Sequence, residues 1–266
     1  MAYIDSHAHL DSDDFVSDLP DVLNRARLAG VERILTVGCL TARVESVARM
    51  LELLESQPDF VGAVGVHPHD AKCFTPQVAE RLTSLLAHPK IVGLGEIGLD
   101  FHYDYSPREQ QRDAFRRQLR IARTVNKPVI IHTREADEET RRILAEELEA
   151  RAAGVLHCFT SDEKTAEFAL GLGFCVSFGG IVSFRNADNL RAIARSIPTD
   201  RLLIETDCPY LAPVPYRGRR NEPCFVVRVA EVLAEERGVS VTELGEQTKD
   251  NFNRLFGPPA GGSILN

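Results

Sequence analysis

The chain has no run of 18 apolar residues, which excludes a transmembrane helix. Its N-terminus turns polar at Asp5, with no basic segment and no apolar segment ahead of it, so no secretory signal is expected. The six cysteines, Cys39, Cys73, Cys158, Cys175, Cys208 and Cys224, form no C-x-x-C pair. They read as free thiols of a reducing cytoplasm. Positive charge is scarce: 31 Lys and Arg stand against 39 Asp and Glu, a net charge of −8. A protein that coats long duplexes would show a basic face. Any contact with nucleic acid must therefore be local, and metal ions are the expected aid. No low-complexity tract, long linker or sequence repeat is present. A glycine-rich phosphate loop after the first strand is also missing, which counts against a doubly wound open sheet.

What is present is an ordinary globular composition, 44% hydrophobic and 26% charged over 266 residues. Short Val-, Ile-, Leu- and Phe-rich runs alternate with amphipathic segments. The runs are Tyr3–Ala8, Arg33–Cys39, Phe60–Val66, Ile91–Ile97, Pro128–Thr133, Gly154–Phe159, Phe174–Phe178 and Leu202–Asp207. They read as parallel strands buried on both faces. Helices are expected at 19–29, 41–56 with Val44 inward, from 75, from 106, and over 135–151, 162–170, 187–196, 223–237 and 241–255. Eight strands alternating with helices predict an α/β fold, a (β/α)8 TIM barrel as a single domain over residues 1–266.

Of eight histidines, His7, His9, His67, His132 and His157 fall at or just beyond strand C-termini, the active-site face of such a barrel. His69, His88 and His102 fit an ordinary scatter. Alternation puts His7 and His9 on one side of their strand, a bidentate metal site. Asp5 is expected on that side too, orienting a ligand or satisfying a polar group beneath. Glu96 follows Gly95 deep at a strand end. A buried carboxylate there either bridges two metals or pairs with a barrel arginine. Asp100 lies past the strand, structural or facing substrate. Asp207 ends strand eight with Glu205 on the same face, placed to bind metal and take a proton from the attacking water. Cys158, next to His157, is expected to face the helices as an inert thiol. Arg217, Arg219 and Arg220 follow strand eight, where such barrels often bind phosphate; the alternative is ion pairing with Glu222 and other acids.

These residues lie in motifs that resemble the TatD family of metal-dependent hydrolases and nucleases, within the wider amidohydrolase superfamily. The motifs are Asp5-Ser-His-Ala-His-Leu-Asp11, Gly65-Val-His-Pro-His69, Gly95-Glu-Ile-Gly-Leu-Asp100, Pro128-Val-Ile-Ile-His-Thr-Arg134, His157-Cys-Phe159 and Glu205-Thr-Asp-Cys-Pro-Tyr-Leu-Ala-Pro213. Arg217–Pro223 and Asn251–Phe256 extend the resemblance to nearly the whole chain. It implies two divalent metal ions per chain (Zn, Mn or Mg). His7, His9 and Asp207 would hold the first, His132 and His157 the second, and Glu96 would bridge. His67 would contact a substrate phosphate. Ser161 and Tyr216 depart from the family pattern, at positions that are not metal ligands.

The resemblance further implies a cytoplasmic deoxyribonuclease, a 3′→5′ exonuclease with Asp207 and Glu96 as catalytic residues. His67, Arg217, Arg219 and Arg220 would bind substrate. A recessed barrel mouth admits a single-stranded DNA end more readily than an intact duplex, so single-stranded DNA ends are the expected partner. No membrane partner is expected, and the chain is expected to be monomeric. The alternatives are hydrolysis of a small ester, lactone or amide, and deacylation of D-aminoacyl-tRNA.

Overall fold

Eight apolar runs, each too short for a helix and each followed by a helical segment, suit a parallel sheet whose strands are buried on both faces. The computed structural model describes residues 2–41, 47–148 and 152–257. The strands are β1 (Tyr3–Ala8), β2 (Val31–Cys39), β3 (Phe60–Gly65), β4 (Ile91–Asp100), β5 (Val129–Arg134), β6 (Gly154–Leu156), β7 (Cys175–Phe178) and β8 (Leu202–Ile204). They form one parallel sheet in chain order. A bridge between Ala8 and Cys208 brings the last strand back to the first. The result is the (β/α)8 TIM barrel expected from sequence.

Among the described residues the helices are α1 (Leu19–Leu28), α2 (Ala48–Ser56), α3 (Pro76–Leu85), α4 (Arg108–Val125), α5 (Asp137–Glu147), α6 (Glu163–Leu172), α7 (Asp188–Ser196), α8 (Val226–Arg237) and α9 (Val241–Phe256). Thr75 caps α3 through its hydroxyl and Asp162 caps α6 through its carboxylate. Val44, expected inside the second helix, lies outside the described residues. The helices bury Leu54, Leu82, Phe115, Leu119 and Ile143 against outward strand residues such as Ile34, Val64 and Ile131. Inside the barrel, Ile4, Leu35, Val61, Ile130, Val155 and Leu203 pack together, with Phe252 and Phe256 of α9 joining them at the N-terminal end.

Two strands end three residues sooner than their sequence suggests. β6 stops at Leu156 and β8 at Ile204, so His157 and Asp207 stand on the loops that follow. Cys158 and Asp207 have φ of 42° and 57°, left-handed values that turn the chain out of the ladder and break strict alternation there.

Candidate metal centre

Closure of the barrel assembles the first half of the site. The Asp207 N–H donates to the His7 carbonyl at 2.9 Å, and the His9 N–H to the Cys208 carbonyl at 2.8 Å. These bonds bring Asp207 beside the two imidazoles. His7 Nε2 and His9 Nε2 lie 3.2 Å apart, and Asp207 Oδ1 is 3.8 Å from the first and 3.5 Å from the second. Ligands around one tetrahedral zinc sit about 3.3 Å from each other.

The second half is built on β4 and β5. The ladder shifts register between Leu94 and Ile97, and Glu96 stands at the shift. Glycine is required on both sides of it. A Cβ on Gly95 would lie 2.5 Å from Ile130 Cβ, and one on Gly98, at φ +140°, would lie 1.9 Å from the His132 carbonyl oxygen. The buried Glu96 carboxylate divides its oxygens. Oε2 lies 3.5 Å from His7 Nε2 and 3.6 Å from His9 Nε2; Oε1 lies 2.8 Å from His132 Nδ1 and 2.6 Å from His157 Nε2.

The imidazoles are oriented from behind. His132 turns Nε2 to Asp100 Oδ2 at 3.3 Å, and His157 turns Nδ1 to Glu205 Oε1 at 3.3 Å. Each then presents its other nitrogen to Glu96, the carboxylate–histidine–metal pattern. His67 differs. Its Nδ1 accepts the His69 N–H at 3.2 Å, so Nε2 carries the proton and faces Glu96 Oε1 at 3.4 Å as a donor. The His7 and His157 rings stack at 4.0 Å with planes 12° apart.

The centre attracts positive charge. Burial opposes ionisation of Glu96, yet His157, His67 and His132 hold its carboxyl well below the usual range. Burial likewise opposes charge on His9, but Asp207 and Glu96 outweigh it and raise the imidazole to about 9. Burial lowers His67 to about 4, which keeps it neutral. Converging imidazole nitrogens around ionised, buried carboxylates fit divalent cations. His7, His9 and Asp207 form one possible group of ligands.

Several expectations are corrected. Of the two roles expected of Asp5, it takes the second, satisfying polar groups beneath the site without reaching an imidazole. Its carboxylate accepts the N–H groups of His7 at 3.3 Å and Thr206 at 2.9 Å, and the Thr206 hydroxyl at 2.6 Å. The ladder of β1 shifts between Asp5 and Ala8, so alternation fails between Asp5 and His7. Cys158 does not face the helices, because its left-handed φ turns the thiol to Asp207. Burial holds that thiol well above its ordinary pKa, so it remains an inert thiol. Arg220 is committed elsewhere: it pairs with Asp18 at 2.7 Å and Glu222 at 3.0 Å, and its guanidinium lies over Phe15. Arg217 lies over the Phe184 ring, and Arg217 and Arg219 are exposed.

Sequence reading passed over His69, which meets Asp100 at 2.9 Å, and Cys39, whose sulfur groups with His9 and Glu96. The His67-x-His69 spacing repeats that of His7-x-His9 and was the available signal for His69. Cys39 ends an apolar strand at the barrel mouth, as the histidines do.

Comparison with known proteins follows the same outline. The model of the TatD related DNase family matches residues 4–257. The uncharacterized metal-dependent hydrolase YcfH of Escherichia coli K12 is 46% identical over 259 residues, 96% of this chain and 96% of that protein. The 3′-5′ ssDNA/RNA exonuclease TatD of Pectobacterium atrosepticum is 39% identical over 258 residues, 95% of this chain and 98% of that one. Among solved structures, the TatD homolog YjjV from Escherichia coli K12 aligns with a TM-score of 0.90 at 31% identity, covering 97% of this chain and 98% of its own.

Proposed function

We propose that this chain, which belongs to the TatD related DNase family and is a TatD-type metal-dependent hydrolase, removes nucleotides from the free 3′ end of single-stranded DNA. The observation that carries the reading is the division of the Glu96 carboxylate, one oxygen toward His7 and His9 and the other toward His132 and His157. Two cations side by side are the arrangement suited to phosphodiester cleavage. The relative named a 3′-5′ ssDNA/RNA exonuclease supports the substrate and the polarity.

In this reading His7, His9 and Asp207 would hold one ion and His132 and His157 the other, with Glu96 serving both. Imidazole and carboxylate donors suit Zn or Mn, and Mg accommodates fewer histidines. Divalent ions, when bound, would lower the pKa of water and offset phosphate charge. The protein does the rest. Asp207, ionised beside His9, accepts the proton of the attacking water. Glu96 keeps the two halves in register. His67, neutral with Nε2–H directed at the centre, donates to a phosphate oxygen. Arg217 and Arg219 remain to meet the adjoining strand, while Arg220 holds its loop to Asp18. The burial of His7, Glu96 and His157 and the net charge of −8 favour a threaded end over a long duplex. Six free cysteines fit a cytoplasmic protein.

The test is metal-reconstituted protein on a 3′-labelled single strand, the same strand with a blocked 3′ end, and a closed duplex circle, each with and without chelator. Chelator-sensitive cleavage of the free-ended strand is expected. Equal cleavage of the circle contradicts exonuclease action. No cleavage of DNA with any metal, beside rapid turnover of a lactone panel or a D-aminoacyl-tRNA, replaces the reading.

A further inference from the structure

The mouth of this barrel is lined with tyrosine. Among the described residues, the exposed large apolar side chains are Tyr103, Tyr105, Tyr210, Leu211 and Val214, on the loops after β4 and β8, with only Val16 and Leu28 elsewhere. Tyr103 and Tyr105 are 45% and 58% exposed, and their rings stack at 5.2 Å with planes 9° apart. The Arg134 guanidinium lies over Tyr103 at 4.7 Å. Tyr105 meets His69 at 4.8 Å and His69 meets His67 at 4.2 Å, so the stack stands one imidazole away from the proposed phosphate donor.

Considerable structure holds two exposed rings in place. Asp104, between them, adopts φ 51°, a conformation uncommon for a residue with a side chain, and Arg108 clamps its carboxylate at 2.9 and 2.8 Å. Asp100 Oδ1 accepts the N–H groups of His102 at 3.0 Å and Tyr103 at 2.9 Å. Lys72 Nζ donates to the Tyr105 carbonyl at 3.0 Å, and Gln111 Nε2 to the Ser106 carbonyl at 2.9 Å. The same Asp100 carboxylate orients His132, which ties the stack to the metal centre.

We propose that Tyr105, backed by Tyr103 and Arg134, is a stacking platform for the nucleobase adjoining the scissile phosphate. The proposal rests on the nuclease reading and extends it to a base-binding subsite. Every base offers a π face, so such a platform accepts any sequence but requires an unpaired base. Its rings are held before the strand arrives, which lowers the entropic cost of binding. Arg134 adds a cation beside the strand on an otherwise acidic protein.

The experiment uses the metal-loaded enzyme and single-stranded oligonucleotides carrying one abasic residue at successive positions from the 3′ end. Tyr105→Ala should raise KM by about 5- to 150-fold, the range for loss of one stacked base, with kcat little changed. Tyr105→Trp should restore KM. One abasic position should cost wild type a similar factor and cost Tyr105→Ala little more. Independently of turnover, 2-aminopurine at that position should be quenched on binding to Asp207→Asn protein, and much less quenched when Tyr105→Ala is added. Cleavage that is indifferent to every abasic position, or a Tyr105→Trp variant as impaired as Tyr105→Ala, overturns the platform while leaving the nuclease reading in place. Wild type that neither binds nor cleaves any strand overturns both.

Discussion

Strand β2 runs between two unlike ends of the barrel and touches both. At its N-terminal end a cavity of about 740 Å³ is lined by Arg33, Glu32, Asp59, Lys90, Lys249 and Asn253 among others. Polar groups there satisfy one another. Lys249 pairs with Glu32 at 2.6 Å, and Arg33 donates to Asn253 at 3.1 Å and to the Gly257 carbonyl at 2.8 Å. At its C-terminal end Cys39 looks onto His9 and Glu96. In that place buried carboxylates face imidazoles, and the ring nitrogens converge. A sizeable concavity thus lies at the end where charges already have partners. Chemistry is marked by groups gathered to share something the chain does not itself supply, and concavity alone does not mark it.

That contrast can be broken in four ways. The largest effect belongs to Asp207. Asp207→Asn should lower turnover by about 100- to 10,000-fold while leaving the fold and much of the second ion in place, read by steady-state kinetics beside metal analysis. A fully loaded variant with wild-type turnover would remove Asp207 as the base. Next comes Asp100→Asn, which touches no proposed ion but releases His132. It should weaken metal affinity about 10- to 100-fold, measured by competition with a chromogenic chelator.

The N-terminal end should behave in the opposite way. Arg33→Ala removes charged hydrogen bonds to Asn253 and Gly257, with a stability loss of about 1.5–3 kcal/mol in urea unfolding and unchanged kcat. A loss of turnover in folded Arg33→Ala protein would show that both ends carry chemistry.

The last effect, that of Asp5, is a slope with pH. Burial raises its carboxyl to about 8, against about 3.9 in an unfolded chain. Between those values the folded state keeps a proton that the unfolded state has released, so this group's contribution to stability falls as pH rises through the window. Asp5→Asn should flatten that slope. In metal-free protein, calorimetry should show the variant gaining on wild type from pH 4 to pH 8, by about 2–4 °C for each kcal/mol involved.

The barrel was legible because each strand announces itself by an apolar run and each run is followed by a helical pattern. His7, His9, His132 and His157 were legible for the same reason, as isolated imidazoles closing apolar runs. Legibility ended where the backbone leaves its regular form. The register shift in β1 separated Asp5 from His7, and the left-handed turn at Cys158 reversed the thiol. Asp100 was underrated because its two roles, orienting His132 and pinning the next loop, join residues 32 and 3 positions away. Arg220 took the ion-paired alternative, but a run of arginines shows charge and does not reveal Asp18, which is 202 residues distant.

In the proposed centre Glu96 joins two metal positions. Anomalous diffraction from crystals of the manganese-loaded protein tests it most directly. Two peaks are predicted, one beside His7, His9 and Asp207 and one beside His132 and His157, each contacted by a different oxygen of Glu96. A single peak, or a Glu96 carboxylate that contacts neither ion, would contradict it.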